Sequence, residues 1–200
     1  MTDFSILSGT GSKYSAGVDK DNRLLTRAIT ETENDHKAHR GNAYNWNTGA
    51  PFDIGANNSS AVAFIKNTDS TYKLIVTAFI YNLGIAASAA TDGTEFSNIV
   101  VVSNPTAISS GTDVTPVNKL VGSSNVLTGT FQKGAGGATF TGGTDMIETL
   151  IASASGGRSF IGVGAVVIQP QTAIGIRYEA HTTTSQQYVQ FATAMYLDKN

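Results

Sequence analysis

Two of the three histidines, His36 and His39, lie in one short stretch, ETENDHKAHRGNAYNW (31–46), with Glu31, Glu33 and Asp35 beside them and Tyr44 and the only tryptophan, Trp46, just beyond. The residue types raise the question of a metal centre. If 31–40 is helical, Thr30 and Glu33 have the spacing of a capping box, and Gly41 is placed to end the helix. His36 and His39 would then share a face, with Glu33 and Asp35 near as oxygen donors. Zinc accepts such ligands, but its third and fourth must come from elsewhere, and the chain has no cysteine. The spacing is not the H-E-x-x-H of a metalloprotease. Such a pair reads as polar contact residues, and no metal or cofactor is expected.

Other chemical motifs fail on inspection. DKDN (19–22) opens like a calcium loop, but Arg23 stands where the third ligand belongs and Leu24 replaces the glycine. GAGGATFTGG (134–143) has Thr139 where a dinucleotide fingerprint needs its last glycine. GTGSK (9–13) lacks the order of a phosphate loop, and no G-x-S-x-G nucleophile elbow occurs. A glycosidase needs two facing carboxylates, and apart from 31–35 the acids are scattered. The expectation is a protein without catalytic residues, not an enzyme.

Tyr44 and Trp46 alternate across Asn45, so in an extended segment both rings share one face. Two readings stand. Trp46 closes one end of a hydrophobic core, or the rings form a contact face for another protein or a stacked sugar.

The elements that must position these residues are strands. Charged residues are only 14% of the 200, glycines number 21 and the net charge is −2. An uncharged, small-residue surface suits extended contact with other protein. The slight acidity and the absence of a basic stripe argue against nucleic acid. The N-terminus has no basic, apolar export pattern, and the longest apolar runs fall far short of a membrane span of about 20 residues.

Residues 1–18 read as a polar N-terminal extended arm, and 19–58 as a connector holding a short strand, RLLTRAIT (23–30), and the polar segment. Residues 59–200 read as a β-sandwich domain. SAVAFIKN and YKLIVTAFIYNL are strand-length runs divided by the turn NTDST, the second apolar on both faces like a central strand. FSNIVVVSN (96–104) is another, stopped by Pro105, and 108–125 is turn-rich. VLTGTFQK and ATFTGG, on either side of GAGG, suggest a hairpin. DMIETLIAS (145–153) leans to strand, and FIGVGAVVIQP (160–170) reads as one strand. Ile174, Ile176, Tyr178 and Ala180 fall on one face of the next, and Val189, Phe191, Met195 and Leu197 on one face of the last. About eight strands with no long helix predict an all-β protein, a jelly-roll or Greek-key sandwich.

The stretch VDKDNRLLTRAITETENDHKAHRGNAYNWNTG (18–49) resembles one found in tailed-bacteriophage virion proteins. The resemblance lies in the acidic turn, the RLL strand, the His-containing polar segment, and a G-x-A-Y-x-W-x-x-G ending matched by Gly41, Ala43, Tyr44, Trp46 and Gly49. NPTAISSGTDVTPVNKLVGSSN (104–125) is similar to loops of capsid decoration, or cement, proteins. The resemblance implies a jelly-roll subunit, a homotrimer, that binds the major capsid protein on the outer surface of the virion head after assembly in a host cytoplasm. It would stabilise the shell by bridging capsid subunits. Arg23, Arg27, His36, His39, Tyr44 and Trp46 would form a junction between arm and body that contacts the shell or an adjacent protomer. The second reading is a tail or head-fibre component that binds a host glycan through an aromatic-lined groove.

A His36→Ala, His39→Ala double variant is expected to keep the melting temperature and metal content of the wild type, by thermal unfolding and elemental analysis. Loss of bound metal would restore the metal reading.

Overall fold

The computed structural model describes residues 5–7, 13–15, 33–54, 59–85, 96–152, 158–161, 166–181 and 187–198. The chain divides into two compact units, Met1–Thr32 and Glu33–Asn200. In the first, β1 (Ser5–Leu7) and β2 (Lys13–Ser15) pair antiparallel. The predicted RLLTRAIT strand, and with it Arg23 and Arg27, lies outside the described residues.

The second unit begins with a short helix, α1 (Glu33–His39), and continues as strands. In chain order these are β3 (Ala43–Asn47), β4 (Phe52–Asp53), β5 (Ser59–Asn67), β6 (Lys73–Ile85), β7 (Phe96–Ser103), β8 (Ala107–Ile108), β9 (Thr112–Asp113) and β10 (Val117–Asn118). They continue with β11 (Gly129–Lys133), β12 (Phe140–Thr141), β13 (Thr144–Ala152), β14 (Arg158–Ile161), β15 (Val166–Ile168), β16 (Ala173–His181) and β17 (Gln187–Asp198). A seven-stranded sheet runs β10-β3-β17-β6-β14, with β15 also on β6 and β4 also on β17. A six-stranded sheet runs β13-β7-β16-β5-β11-β9. Nearly all neighbours are non-consecutive in sequence, so the chain crosses between sheets instead of meandering. The protein is an all-β sandwich.

Period-two alternation builds the two faces. β17 buries Gln187, Val189, Phe191, Thr193, Met195 and Leu197 and leaves the intervening residues part-exposed. It pairs with β6 from Gln187↔Ile85 to Asp198↔Lys73, with one bulge between Ala194 and Met195. Hydroxyls occupy the bulge: Thr193 Oγ1 donates to the Ala78 carbonyl at 2.6 Å and Thr77 Oγ1 to that of Ala194 at 3.1 Å. From the other sheet, Ile174, Ile176 and Tyr178 of β16 meet this face. Phe191 is central, with Tyr81, Phe79 and Trp46 at ring-centroid distances of 5.5, 5.8 and 6.0 Å, all tilted. Burial pushes the Tyr81 hydroxyl pKa well up from its ordinary value.

The NTDST turn carries the chain from one sheet to the other. Asn67 and Asp69 hold it: Asn67 Oδ1 accepts from Asp69 N at 3.1 Å, and Asp69 Oδ1 from Thr71 N and Tyr72 N at 2.7 and 2.8 Å.

Three expectations are corrected. The hairpin across GAGG does not form, because β11 pairs with β5 and β9 while β12 pairs with β8. Gly134 lets the chain ride over β5, since a Cβ there would stand 1.8 Å from the Ala61 carbonyl oxygen. The chain thus folds over the outside of the six-stranded sheet, where Ile108, Ala138 and Phe140 cover Ala61, Phe64 and Ala173. FIGVGAVVIQP is two strands, β14 and β15, both on β6. Residues 33–54 are not a connector but part of the body, because β3 and β4 pair with β17.

Phe191→Ala is expected to cost about 3–5 kcal/mol, the range for truncating a buried aromatic. Urea unfolding followed by Trp46 fluorescence checks this, and a loss below about 1 kcal/mol would mean that Phe191 does not centre the core.

Candidate functional site

The opening polar segment becomes α1 and its exit. His36, Lys37 and His39 lie in the last turn, where positive charge complements the helix dipole. The helix ends at Gly41, whose φ of +67° is left-handed. Gly41 N donates to the Ala38 carbonyl at 2.9 Å and Asn42 N to that of Lys37 at 2.8 Å. This is the paired bonding of a Schellman stop, as the glycine predicted. Thr30 lies outside the described residues, so the other half of the capping argument does too. Lys37 is buried, its Nζ 3.6 Å from Asp198 Oδ1, tying α1 to the end of β17.

His36 is half-buried and His39 exposed. Among the described residues no group of three or more His, Cys, Asp or Glu is close enough to hold a metal ion. The paired histidines therefore gain no third ligand there.

Tyr44 and Trp46 of β3 both point into the core and are buried, while Asn45 and Asn47 face outward. Of the two readings the sequence leaves open, the structure places Trp46 in the core. A contact made through these two rings is corrected for the same reason, since neither has surface to offer a partner. Their polar ends instead work internally. Trp46 Nε1 donates to the Val114 carbonyl at 2.7 Å, and the Tyr44 hydroxyl to that of Gly41 at 3.3 Å. Desolvation raises the Tyr44 pKa, so the hydroxyl keeps its proton.

Val114 and Gly41 are two of the places where the loop 114–128 is fastened. Gly41 O also accepts from Asn118 Nδ2 at 2.8 Å and Asn125 Nδ2 at 3.1 Å. Lys119 N donates to the Ala43 carbonyl at 2.9 Å, extending the two-residue pairing of β10 with β3. Within the loop, Asn118 Oδ1 accepts from Leu120 N, Asn118 Nδ2 bonds the Asn125 carbonyl, and Ser123 N bonds that of Leu120. Leu127, buried, anchors the returning end in the core. A Cβ on Gly41 would lie 2.7 Å from Ser123 Oγ and 3.0 Å from Asn125 Nδ2, so glycine is required for the loop as well as for the helix stop.

The fastened loop turns aliphatic side chains outward. Val117, Leu120, Val121 and Val126 are 68, 41, 96 and 75% exposed. Lys119 is the only charged residue in 114–128. Water-facing loops are normally polar. One that is ordered by many hydrogen bonds yet presents four aliphatics has the character of a contact surface. A shallow cleft of about 330 Å³ opens at its base, lined by Val114, Pro116, Val126, Leu127 and Phe131.

Sequence reasoning gave 108–125 as turn-rich and missed the exposed aliphatics. Their signal is four aliphatics, Val117, Leu120, Val121 and Val126, in a turn-rich stretch 117–126 whose one charge is Lys119.

No family model, no curated protein and no solved structure matches the chain.

Gly41→Ala is expected to lower stability by about 1–2 kcal/mol through the left-handed φ and the crowding at Asn125. Tryptic cleavage after Lys119 should accelerate in this variant and in Asn118→Ala. Unchanged cleavage in both would show that the Gly41 carbonyl does not hold the loop.

Proposed function

We propose that the protein is a decoration, or cement, subunit of a tailed-phage virion that docks its 117–126 loop on the outer surface of the head. The observation that carries the reading is this ordered, nearly uncharged loop with Val117, Leu120, Val121 and Val126 turned to solvent. Residues 41–43 and 118–119, which belong to the two stretches that resemble virion proteins, meet at the hydrogen bonds from Asn118 to Gly41 and from Lys119 to Ala43, which supports reading those parts together.

The mechanism is mechanical. A shell under internal pressure from packed DNA opens where its contacts are weakest. A subunit that bridges neighbours makes local opening break several interfaces together, and many copies make modest single contacts effective. Aliphatic side chains held rigidly lose little conformational entropy on docking. A homotrimer at a three-fold position would present three loops at once. The major capsid protein is the partner, and no catalytic residue, nucleic acid or membrane enters the reading. Arg23, Arg27, His36 and His39 remain candidate polar contacts of this reading, and Tyr44 and Trp46 serve it from within by holding Gly41 and Val114. A fibre role through a groove lined by Tyr44 and Trp46 is less favoured, because both rings are buried.

A Val121→Asp, Val126→Asp double variant tests the reading. Both positions are exposed, so the melting temperature should stay within the small range of surface substitutions. Binding to heads that lack the protein should fall by at least roughly tenfold per chain. Wild-type binding by this variant would overturn the docking assignment, as would particles without the protein surviving heat and low salt like complete ones.

A further inference from the structure

A second site lies on the outer face of the six-stranded sheet and shares no residue with the loop. Arg177 and Glu179 project from β16, and Asp145 from the start of β13, two strands away across β7. Arg177 Nη1 and Nη2 donate to Asp145 Oδ1 and Oδ2 at 3.0 and 2.8 Å, and its Nε donates to Glu179 Oε1 at 2.8 Å. These bonds, that to Asp145 foremost, raise the Arg177 pKa. The trio forms one wall of a groove of about 400 Å³. The half-buried Phe140 supplies apolar surface, over buried Val102 and Ala138, and Gly142 and Gly143 form a wall without side chains. The Phe140 ring tip rests on Gly175, where a Cβ would come within 2.5 Å of it. The sheet therefore fixes both the aromatic ring and the planar charged groups.

The chemistry narrows the ligand by elimination. The trio has one positive and two negative groups, and the carboxylate of Asp145 already takes the end of the guanidinium, so an anion meets net repulsion. A metal cation would find two carboxylates with a guanidinium between them, which is too few ligands and a like charge. A wholly apolar ligand would strip water from three charged side chains without replacing its bonds. What remains is a neutral molecule with hydroxyls on one side and C–H groups on the other. Three of the five Arg177 N–H groups are used in the bonds above, and the remaining two lie beside the Asp145 oxygens, each of which has a second lone pair to accept with. Donor and acceptor side by side match a pair of adjacent hydroxyls, and the half-buried Phe140 offers a surface for a ring's C–H face.

We propose that the Arg177–Asp145–Glu179 groove beside Phe140 binds a neutral saccharide. This stands independently of the decoration reading.

The test is a two-dimensional amide NMR titration of the full chain with methyl glycosides of glucose, galactose, rhamnose and N-acetylglucosamine, and with methyl glucuronide as the charged counterpart. At least one neutral sugar should shift the amides of Gly142, Gly143, Asp145 and Gly175 and leave those of 119–124 unmoved. Methyl glucuronide should bind less well than methyl glucoside. Arg177→Gln and Glu179→Gln, each checked for an unchanged fold by its spectrum, should weaken binding by roughly tenfold or more, as expected for charge-assisted bonds. If one variant does not fold, the other and the wild-type titration still decide. No groove shifts up to about 100 mM of every sugar, well above the millimolar range expected of a shallow site, would overturn the proposal. So would tighter binding of the glucuronide, or wild-type affinity in a folded variant.

Discussion

The carbonyl of Gly41 ties the exit of α1 to the loop 114–128. It ends a helix, sits under the hydroxyl of buried Tyr44, and takes the amides of Asn118 and Asn125. Its position follows from a left-handed φ at Gly41, where a Cβ would be strained and would crowd Ser123 and Asn125. Because β3 leaves from the same turn and pairs with β17, the carbonyl is referenced to the centre of the seven-stranded sheet. A rigid core thereby fixes a loop that buries little of its own. Without the junction, residues 117–126 would have no cause to stay ordered with their aliphatics facing water.

That arrangement reverses the usual division of labour. The conspicuous residues of 31–46, the aromatics above all, do not face outward. Tyr44 and Trp46 use ring burial to hold β3 in the core and their single polar atoms to fasten a neighbouring loop. The surface proposed for contact is made by plain valines and a leucine, exposed and held still. On the opposite kind of surface, the groove at Arg177, the same economy of parts operates with charge, since one guanidinium bonded to two carboxylates holds all three side chains in place at partial exposure.

The strands were legible wherever one face meets a core. The alternation in 173–181 and 187–198 and the doubly apolar run at 73–82 correspond to β16, β17 and β6, which lie inside their sheets. Glycine-rich stretches were the failures. GAGG signals reversal by composition, but Gly134 serves close passage over Ala61, a contact between residues far apart in sequence. The helix stop at Gly41 was legible because a Schellman turn is local. Its second role, receiving Asn118 and Asn125, was not, since those partners lie more than seventy residues away. The fate of Trp46 was undecidable in sequence because a core edge and a contact face both call for alternating rings on a strand.

The central claim is that the 117–126 loop, held by Gly41, is the surface through which this protein joins a larger assembly. Imaging the assembled particle at a resolution that traces the backbone tests it most directly. The account predicts subunit density over the head lattice with Leu120 and Val121 at the closest approach to the shell. Density on the tail, or on the head with this loop pointing into solvent, would contradict it.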